Sequence, residues 1–318
     1  MSIISKDIQK AIDLLNQNEL VAIPTETVYG LAGNIFSEKA INNIFKTKKR
    51  PLFNPLIVHI PNMDYLGKVV SYIPEKAKIL AKTFWPGSMT LVLPKSDKIP
   101  DLITAGKNTV AVRIPNHPTT LELLNKLSFP LAAPSANPFN SISPTKPEHV
   151  ENYFRNDIKM VLDGGFCKRG LESTIIGFEN EEPIVYRLGA LSLDDIEQVI
   201  GSVQLKNKND KNPDAPGMLA KHYAPKTKTI LSENITSDIE KFKNNRIGII
   251  SLQTSYSLNS NHKEIILSEK GNLVEASSKL YSAMHDLDAL QLEIIIIEKM
   301  PNEGLGKSMN DRLFRASS

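Results

Sequence analysis

Lys46-Thr47-Lys48-Lys49-Arg50-Pro51, followed by Asn54-Pro55-Leu56-Ile57-Val58-His59, is the stretch on which the reading of this chain turns. If its first part is extended, Lys46, Lys48 and Arg50 project to one face, because side chains alternate along a strand. Pro51 bars a helix from continuing and restricts Arg50 to β or polyproline geometry. Such a comb of cations, beside an apolar strand ending in a histidine, suits a pocket for a small polyanion. The alternative is a solvated helix end, where the helix macrodipole favours lysines in any case.

The neighbouring segments favour the pocket. Upstream, the apolar run 21–23 leads into the hydroxyl-rich turn Pro24-Thr25-Glu26-Thr27-Val28-Tyr29-Gly30-Leu31. Downstream, Pro134-Ser135-Ala136-Asn137-Pro138 follows the apolar run 130–133. Hydroxyls, an amide and loop N–H groups at strand ends furnish a polar ligand site. No nucleophile elbow, zinc spacing or Walker loop is present. The site chemistry is therefore positioning and charge stabilisation, as in phosphoryl and nucleotidyl transfer.

Read in order, PTETVYGL (24–31), KTKKRP (46–51) with NPLIVH (54–59), WPGSMTLVL (85–93), VAVRIPNHP (110–118), APSAN (133–137), LDGG (162–165), GLESTII (170–176) and YRLGA (186–190) form a specific set. It resembles the YrdC-like domain of the threonylcarbamoyl-adenylate synthase family over about residues 5–188. Two departures stand out: Ser88-Met89-Thr90 where Pro-Leu-Thr is usual, and Lys49 where glycine is common.

The resemblance implies that L-threonine, bicarbonate or carbon dioxide, and ATP react to give threonylcarbamoyl-AMP and pyrophosphate. The product would pass to a tRNA threonylcarbamoyl transferase complex. By position in the matched motifs, Lys48 and Arg50 would be the catalytic cations, holding the threonine carboxylate and the carbamate. Thr25, His59 and Ser173 would seat threonine, with His59 neutral. Lys46, Arg113 and Arg187 would face the ATP phosphates, and Ser135 and Asn137 would lie near the α-phosphate or adenosine. Ser143 and Thr145 match a further hydroxyl pair. Mg²⁺ would come with ATP, without a protein-only metal site.

At 318 residues the chain is long enough for two domains, and its net charge of +3 gives no strong nucleic-acid field. The single cysteine, Cys167, excludes an internal disulfide and a cysteine-cluster metal site. With no signal-peptide pattern and no long apolar run, the expectation is a cytosolic protein without a membrane span.

Apolar periodicity predicts an α/β fold. Strands are expected at 21–23, 56–60, 89–93, 109–114, 131–133, 159–162, 174–178 and 184–187, in a large, mixed, twisted sheet. Helices are expected from Ser5 or Asp7, and at 38–45, 75–84, 119–127 and 193–200. Residues 1–200 would form this first domain and 201–228 a linker. That linker carries Ala215-Pro216-Gly217-Met218 and His222-Tyr223-Ala224-Pro225. The longer members of the resembled family carry such a motif folded back over the active site, so His222 and Tyr223 would reach into it. Residues 229–318 alternate strand and helix patterns, predicting a small Rossmann-like parallel domain. Gly304-Leu305-Gly306 invites a phosphate-site reading but lacks the spacing of a dinucleotide fingerprint.

Two other function classes compete with the synthase. One is an RNA-binding module with a basic concave surface. The other is a carbamoyl-transfer role, as in hydrogenase maturation proteins, whose additional cysteine pairs this chain lacks.

Overall fold

The structure, a computed structural model, describes residues 3–206, 222–256 and 262–317. Eleven strands build the first sheet: β1 (Ile4–Ser5), β2 (Val21–Ile23), β3 (Gly30–Asn34), β4 (Ile57–His59), β5 (Met89–Pro94), β6 (Thr109–Arg113), β7 (Leu131–Ala132), β8 (Met160–Leu162), β9 (Thr174–Glu179), β10 (Glu182–Arg187) and β11 (Gln204–Leu205). Their order is β1-β8-β2-β3-β7-β4-β6-β5-β9-β10-β11, with parallel and antiparallel pairs mixed. Around it run α1 (Ile8–Asn16), α2 (Glu38–Lys48), α3 (Leu66–Val69), α4 (Glu75–Phe84), α5 (Asp101–Thr104), α6 (Pro118–Lys126), α7 (Pro147–Phe154) and α8 (Leu193–Ile200).

The second sheet is wholly parallel, in the order β12 (Lys228–Ser232), β15 (Ile294–Glu298), β13 (Ile247–Ser251), β14 (Lys263–Ile266). Its helices are α9 (Ile235–Lys241), α10 (Leu273–Asp288) and α11 (Gly304–Ala316). This is the expected α/β organisation, a large mixed sheet plus a smaller parallel one. Strand β11 falls inside the stretch read as linker, yet pairs with β10 in the first sheet. Residues 215–221 of the linker motif lie outside the described residues. No helix among those described is long and apolar enough to cross a membrane.

Alternation across the central strands makes the first sheet two-faced. Val58, Leu91, Val112 and Ile176 point to the main apolar core, against the helices. Ile57, Val92, Ala111 and Ile175 form a separate small cluster on the opposite face. His59 and Arg113 share that second face, two residues beyond Ile57 and Ala111, and they are register partners across the parallel β4–β6 pair. The sheet thus supplies an apolar floor with polar groups at one end.

Of the two readings of the cationic run, the structure shows the helix end. The cationic run is not extended: Lys46 and Lys48 lie in the last turn of α2. Ser37 caps this helix by accepting from the Ala40 N–H, and Ile41, Ile44, Phe45 and Lys48 fall on its buried face at helical spacing. Lys46 therefore points outward while Lys48 points in. The helix closes through Lys49 at φ 53°, in the left-handed region. Glycine is favoured at such a cap, which explains why Lys49 stands out in this motif.

Candidate functional site

The candidate site is a pocket on the second face of the first sheet. Thr25, Arg50, His59, Arg113, Ser135, Ser173, Arg187, His222 and Tyr223 all line it, so most of the residues named from sequence converge here. Lys46 does not. It lines a separate surface cleft with Asn43, Asp157 and Lys159, because the helical turn carries it away from the pocket.

Lys48 is 1% exposed and lies behind the lining. Its Nζ donates to the carbonyl of Asn137 at 2.5 Å and to that of Ser135, so it clamps the loop after β7. Burial, then the nearby Arg50 guanidinium, lower its pKa well below that of an ordinary lysine. Of the two cations named from the motif, Arg50 lines the pocket and Lys48 does not. Asn137 staples the same loop, donating from Nδ2 to the carbonyls of Pro138 and Ser141, both at 2.9 Å.

Arg50 is aimed by three bonds. Nε donates to Asn54 O at 3.2 Å, while Nη2 donates to Asn54 Oδ1 at 2.7 Å and Pro55 O at 2.8 Å. Burial and then Arg187 push its pKa down to about 9, so it remains charged at neutral pH. Arg187 reaches the pocket through a register shift between Val185 and Arg187, a bulge that re-aims its side chain beside Ile175. Its Nε and Nη2 both donate to Ser173 O, at 3.2 and 2.8 Å.

Arg113 is more fully committed. It donates to Gly87 O at 3.0 Å, Thr27 Oγ1 at 2.9 Å and Glu26 Oε1 at 2.6 Å. Glu26 also accepts from the Asn116 N–H at 2.9 Å. Burial alone would raise the Glu26 pKa, but the Arg113 charge and these bonds outweigh it and leave it lowered. Thr25 Oγ1 donates to Val28 O at 2.7 Å and accepts from the Thr27 N–H, folding the turn over the pocket.

His59 is 3% exposed, and burial followed by the Arg113 charge hold its pKa down to about 3. The ring is therefore neutral at neutral pH. His59 Nδ1, His222 Nδ1 and Tyr223 Oη are buried without a partner among the described residues. Orphaned polar atoms facing one cavity are ligand-binding capacity in waiting, since leaving them unpaired is costly. His222 stands edge-on to Phe139, with ring centroids 6.0 Å apart. The strap that carries it is tied on both sides: His222 N–H donates to Arg315 O at 3.2 Å and Ala224 N–H to Asn140 O at 2.8 Å.

Ser143 sits beneath the pocket, its Oγ donating to Glu172 Oε1 at 2.6 Å, and Thr145 is buried close by. Sequence reasoning missed Glu26, Thr27, Asn54 and Glu172. Each stands inside a motif already singled out, in a loop that leads into or out of a strand. That position was the available signal.

The model of the Sua5–YciO–YrdC family, described as Telomere recombination, matches residues 13–189. The chain belongs to this family. A second model, described as Threonylcarbamoyl-AMP synthase, C-terminal domain, matches residues 191–318. Among curated relatives, Threonylcarbamoyl-AMP synthase of Pyrococcus abyssi is 39% identical, covering 98% of this chain and 94% of its own. The Bacillus subtilis protein of the same name is 38% identical over 98% of this chain and 92% of its own. The crystal structure of P. abyssi Sua5 complexed with L-threonine superposes with a TM-score of 0.91 at 38% identity, covering 98% of this chain and 94% of that one.

Proposed function

We propose that this Sua5-family chain is an L-threonylcarbamoyladenylate synthase, making threonylcarbamoyl-AMP and pyrophosphate from L-threonine, bicarbonate or carbon dioxide, and ATP. The observation that carries the reading is the near full-length match to relatives named for this activity, with Arg50, His59 and Arg187 gathered on one pocket. The threonine amine and bicarbonate form an N–C bond with loss of water. The resulting carbamate oxygen attacks the α-phosphorus of ATP, the bond to the β-phosphate oxygen breaks, and pyrophosphate leaves with that electron pair.

The threonine carboxylate, the carbamate and the ATP phosphates are all anionic, so the protein's work is orientation and charge stabilisation. Arg50 takes the carboxylate of threonine or its carbamate, and Arg187 faces the phosphates. Neutral His59, with Thr25 and Ser173, seats the threonine side chain. Ser135 and Asn137 present the loop after β7 to the nucleotide, with Lys48 fixing that loop from behind. Arg113 shapes the wall through Glu26 and Thr27. His222 and Tyr223 close the pocket over the substrates.

Mg²⁺ belongs to the proposal as an ion carried by the ATP phosphates and water. The carboxylates nearest the pocket, Glu26 and Glu172, are each bound to an arginine. Among the described residues no group of three His, Cys, Asp or Glu side chains could hold a metal. We assign residues 1–200 to the catalytic domain, 201–228 to the strap and 229–318 to the second domain. A tRNA threonylcarbamoyl transferase complex in the cytosol is the proposed consumer of the product.

Pyrophosphate release from ATP, with threonine and bicarbonate supplied singly and together, tests the assignment. Release that needs both is the expected result. Release indifferent to threonine overturns it and returns the weight to RNA binding or to another carbamoyl acceptor.

A further inference from the structure

Glu172 lines the pocket yet is held from the other half of the molecule. Its Oε2 accepts from Arg312 Nε at 3.0 Å and from Tyr281 Oη at 3.1 Å, on α11 and α10, while Oε1 accepts from Ser143. Arg312 is fully buried. Besides Glu172 it donates to Asp311 Oδ2 at 2.7 Å and to Leu188 O at 2.5 Å. One helical turn before Arg312, Ser308 Oγ donates to the carbonyl of Gly189, the residue after Leu188, at 2.9 Å.

These bonds converge on two short segments that carry pocket residues. Glu172 is followed by Ser173, and Leu188 follows Arg187. The two segments are already joined to each other, since Arg187 donates to Ser173 O and the Ala190 N–H donates to Glu172 O at 2.8 Å. Arg312 thus grips both sides of the small unit that presents Ser173 and Arg187. A surface ion pair would be interchangeable, but a buried guanidinium with its donors shared among two carboxylates and a carbonyl fixes geometry.

We propose that Arg312 is a positioning residue for the pocket of the first sheet: by holding Glu172 and the Leu188 carbonyl, it sets the place of Ser173 and Arg187. The second α/β unit is then part of the binding site, contributing a fixed clamp in addition to the strap. This deepens the synthase reading and rests on it where substrate binding is the readout.

The experiment uses the full chain in four forms: wild type, Arg312→Met, Arg312→Lys and Glu172→Gln. Hydrogen exchange at residues 171–174 and 187–190 is read without substrate, beside L-threonine titrations by calorimetry. In Arg312→Met, exchange in these segments should rise at least about tenfold, against at most about twofold in β4 and β6, and threonine should bind at least about tenfold more weakly. Arg312→Lys should fall between, and millimolar guanidinium should restore part of the binding lost by Arg312→Met. A generally destabilised protein would show no such rescue and no such localisation. Unchanged exchange at these segments in folded Arg312→Met, or in Arg312→Lys and Glu172→Gln if the first does not fold, overturns the inference. No threonine binding by the wild type, with the localised exchange change still seen in Arg312→Met, overturns the functional reading while leaving the clamp intact.

Discussion

The ammonium of Lys48 lies 2.5 Å from the carbonyl oxygen of Asn137, and also donates to the carbonyl of Ser135. A lysine that sequence places among the reacting cations is thus committed to the backbone of the pocket wall. Lys48→Met should leave the buried Asn137 carbonyl without its donor, at about 1–3 kcal/mol, while the Ser135 carbonyl keeps the Asn137 N–H at 3.0 Å. The loop after β7 should loosen with it. The expected outcome is a lower urea midpoint together with weakened nucleotide binding. A Lys48→Met protein of wild-type stability, defective only in turnover, would restore Lys48 to a direct role.

Arg50 is predicted to behave differently. Its three bonds to Asn54 and Pro55 orient the guanidinium at the pocket surface. Arg50→Ala should reduce adenylate formation at least about a hundredfold, about 2.7 kcal/mol of transition-state stabilisation. Arg50→Lys should recover little, because an ammonium cannot reproduce a planar fork. Pyrophosphate release at saturating ATP checks both, with circular dichroism to show that the variants are folded.

The contrast between these two cations marks what could be read from sequence. Strand positions such as β2 and β13, and helices α4 and α8, follow from apolar periodicity, because there the local pattern and the packing agree. The convergence of Thr25, His59, Ser135 and Ser173 followed from motif order, since strand ends gather at one side of a sheet. The run 46–50 misled because alternate positions in a strand and opposite faces of a helix are the same residues. Only the Ile41, Ile44, Phe45, Lys48 stripe distinguishes them, and it lies largely upstream of the motif. The contact made by Arg312 could not be read at all: its partner Glu172 is 140 residues away, and no local pattern encodes such a pairing.

Acid should destabilise the protein well before its carboxylates titrate. His59 and His149 are held at about 3 and His285 at about 4, in each case first by burial. His149 and His285 stack at 3.8 Å, with His285 bonded to Ser143 O. In the unfolded chain each histidine binds its proton near pH 6.5, while the folded chain refuses it until pH 3–4. Stability is therefore complete above pH 6.5 and is lost as pH falls towards those folded values. At pH 5 each histidine should cost about 2 kcal/mol relative to pH 7. Urea midpoints at pH 7, 6 and 5 should fall accordingly, and His59→Gln should flatten the trend by one histidine's share. Midpoints that do not move between pH 7 and 5 would contradict the burial of these rings.

Gly170 and Gly165 give a test of how closely the two halves fit. Both have positive φ, 71° and 74°, so alanine is strained at either position, by about 1 kcal/mol. Their surroundings differ. A Cβ at Gly165 would meet nothing within 4 Å, whereas one at Gly170 would lie 2.5 Å from the backbone of Ser277 and Ser278 on α10. Backbone cannot swing aside as a side-chain tip can, so Gly170→Ala must push α10 away from the segment leading to Glu172. Gly165→Ala should lower stability only by its backbone strain. Gly170→Ala should cost more and also weaken threonine binding, since Tyr281 on α10 would be drawn off the Glu172 carboxylate. Thermal unfolding and threonine titration of the two variants side by side measure this. Equal losses in stability, with binding intact in both, would mean that the contact between α10 and this segment does not govern the pocket.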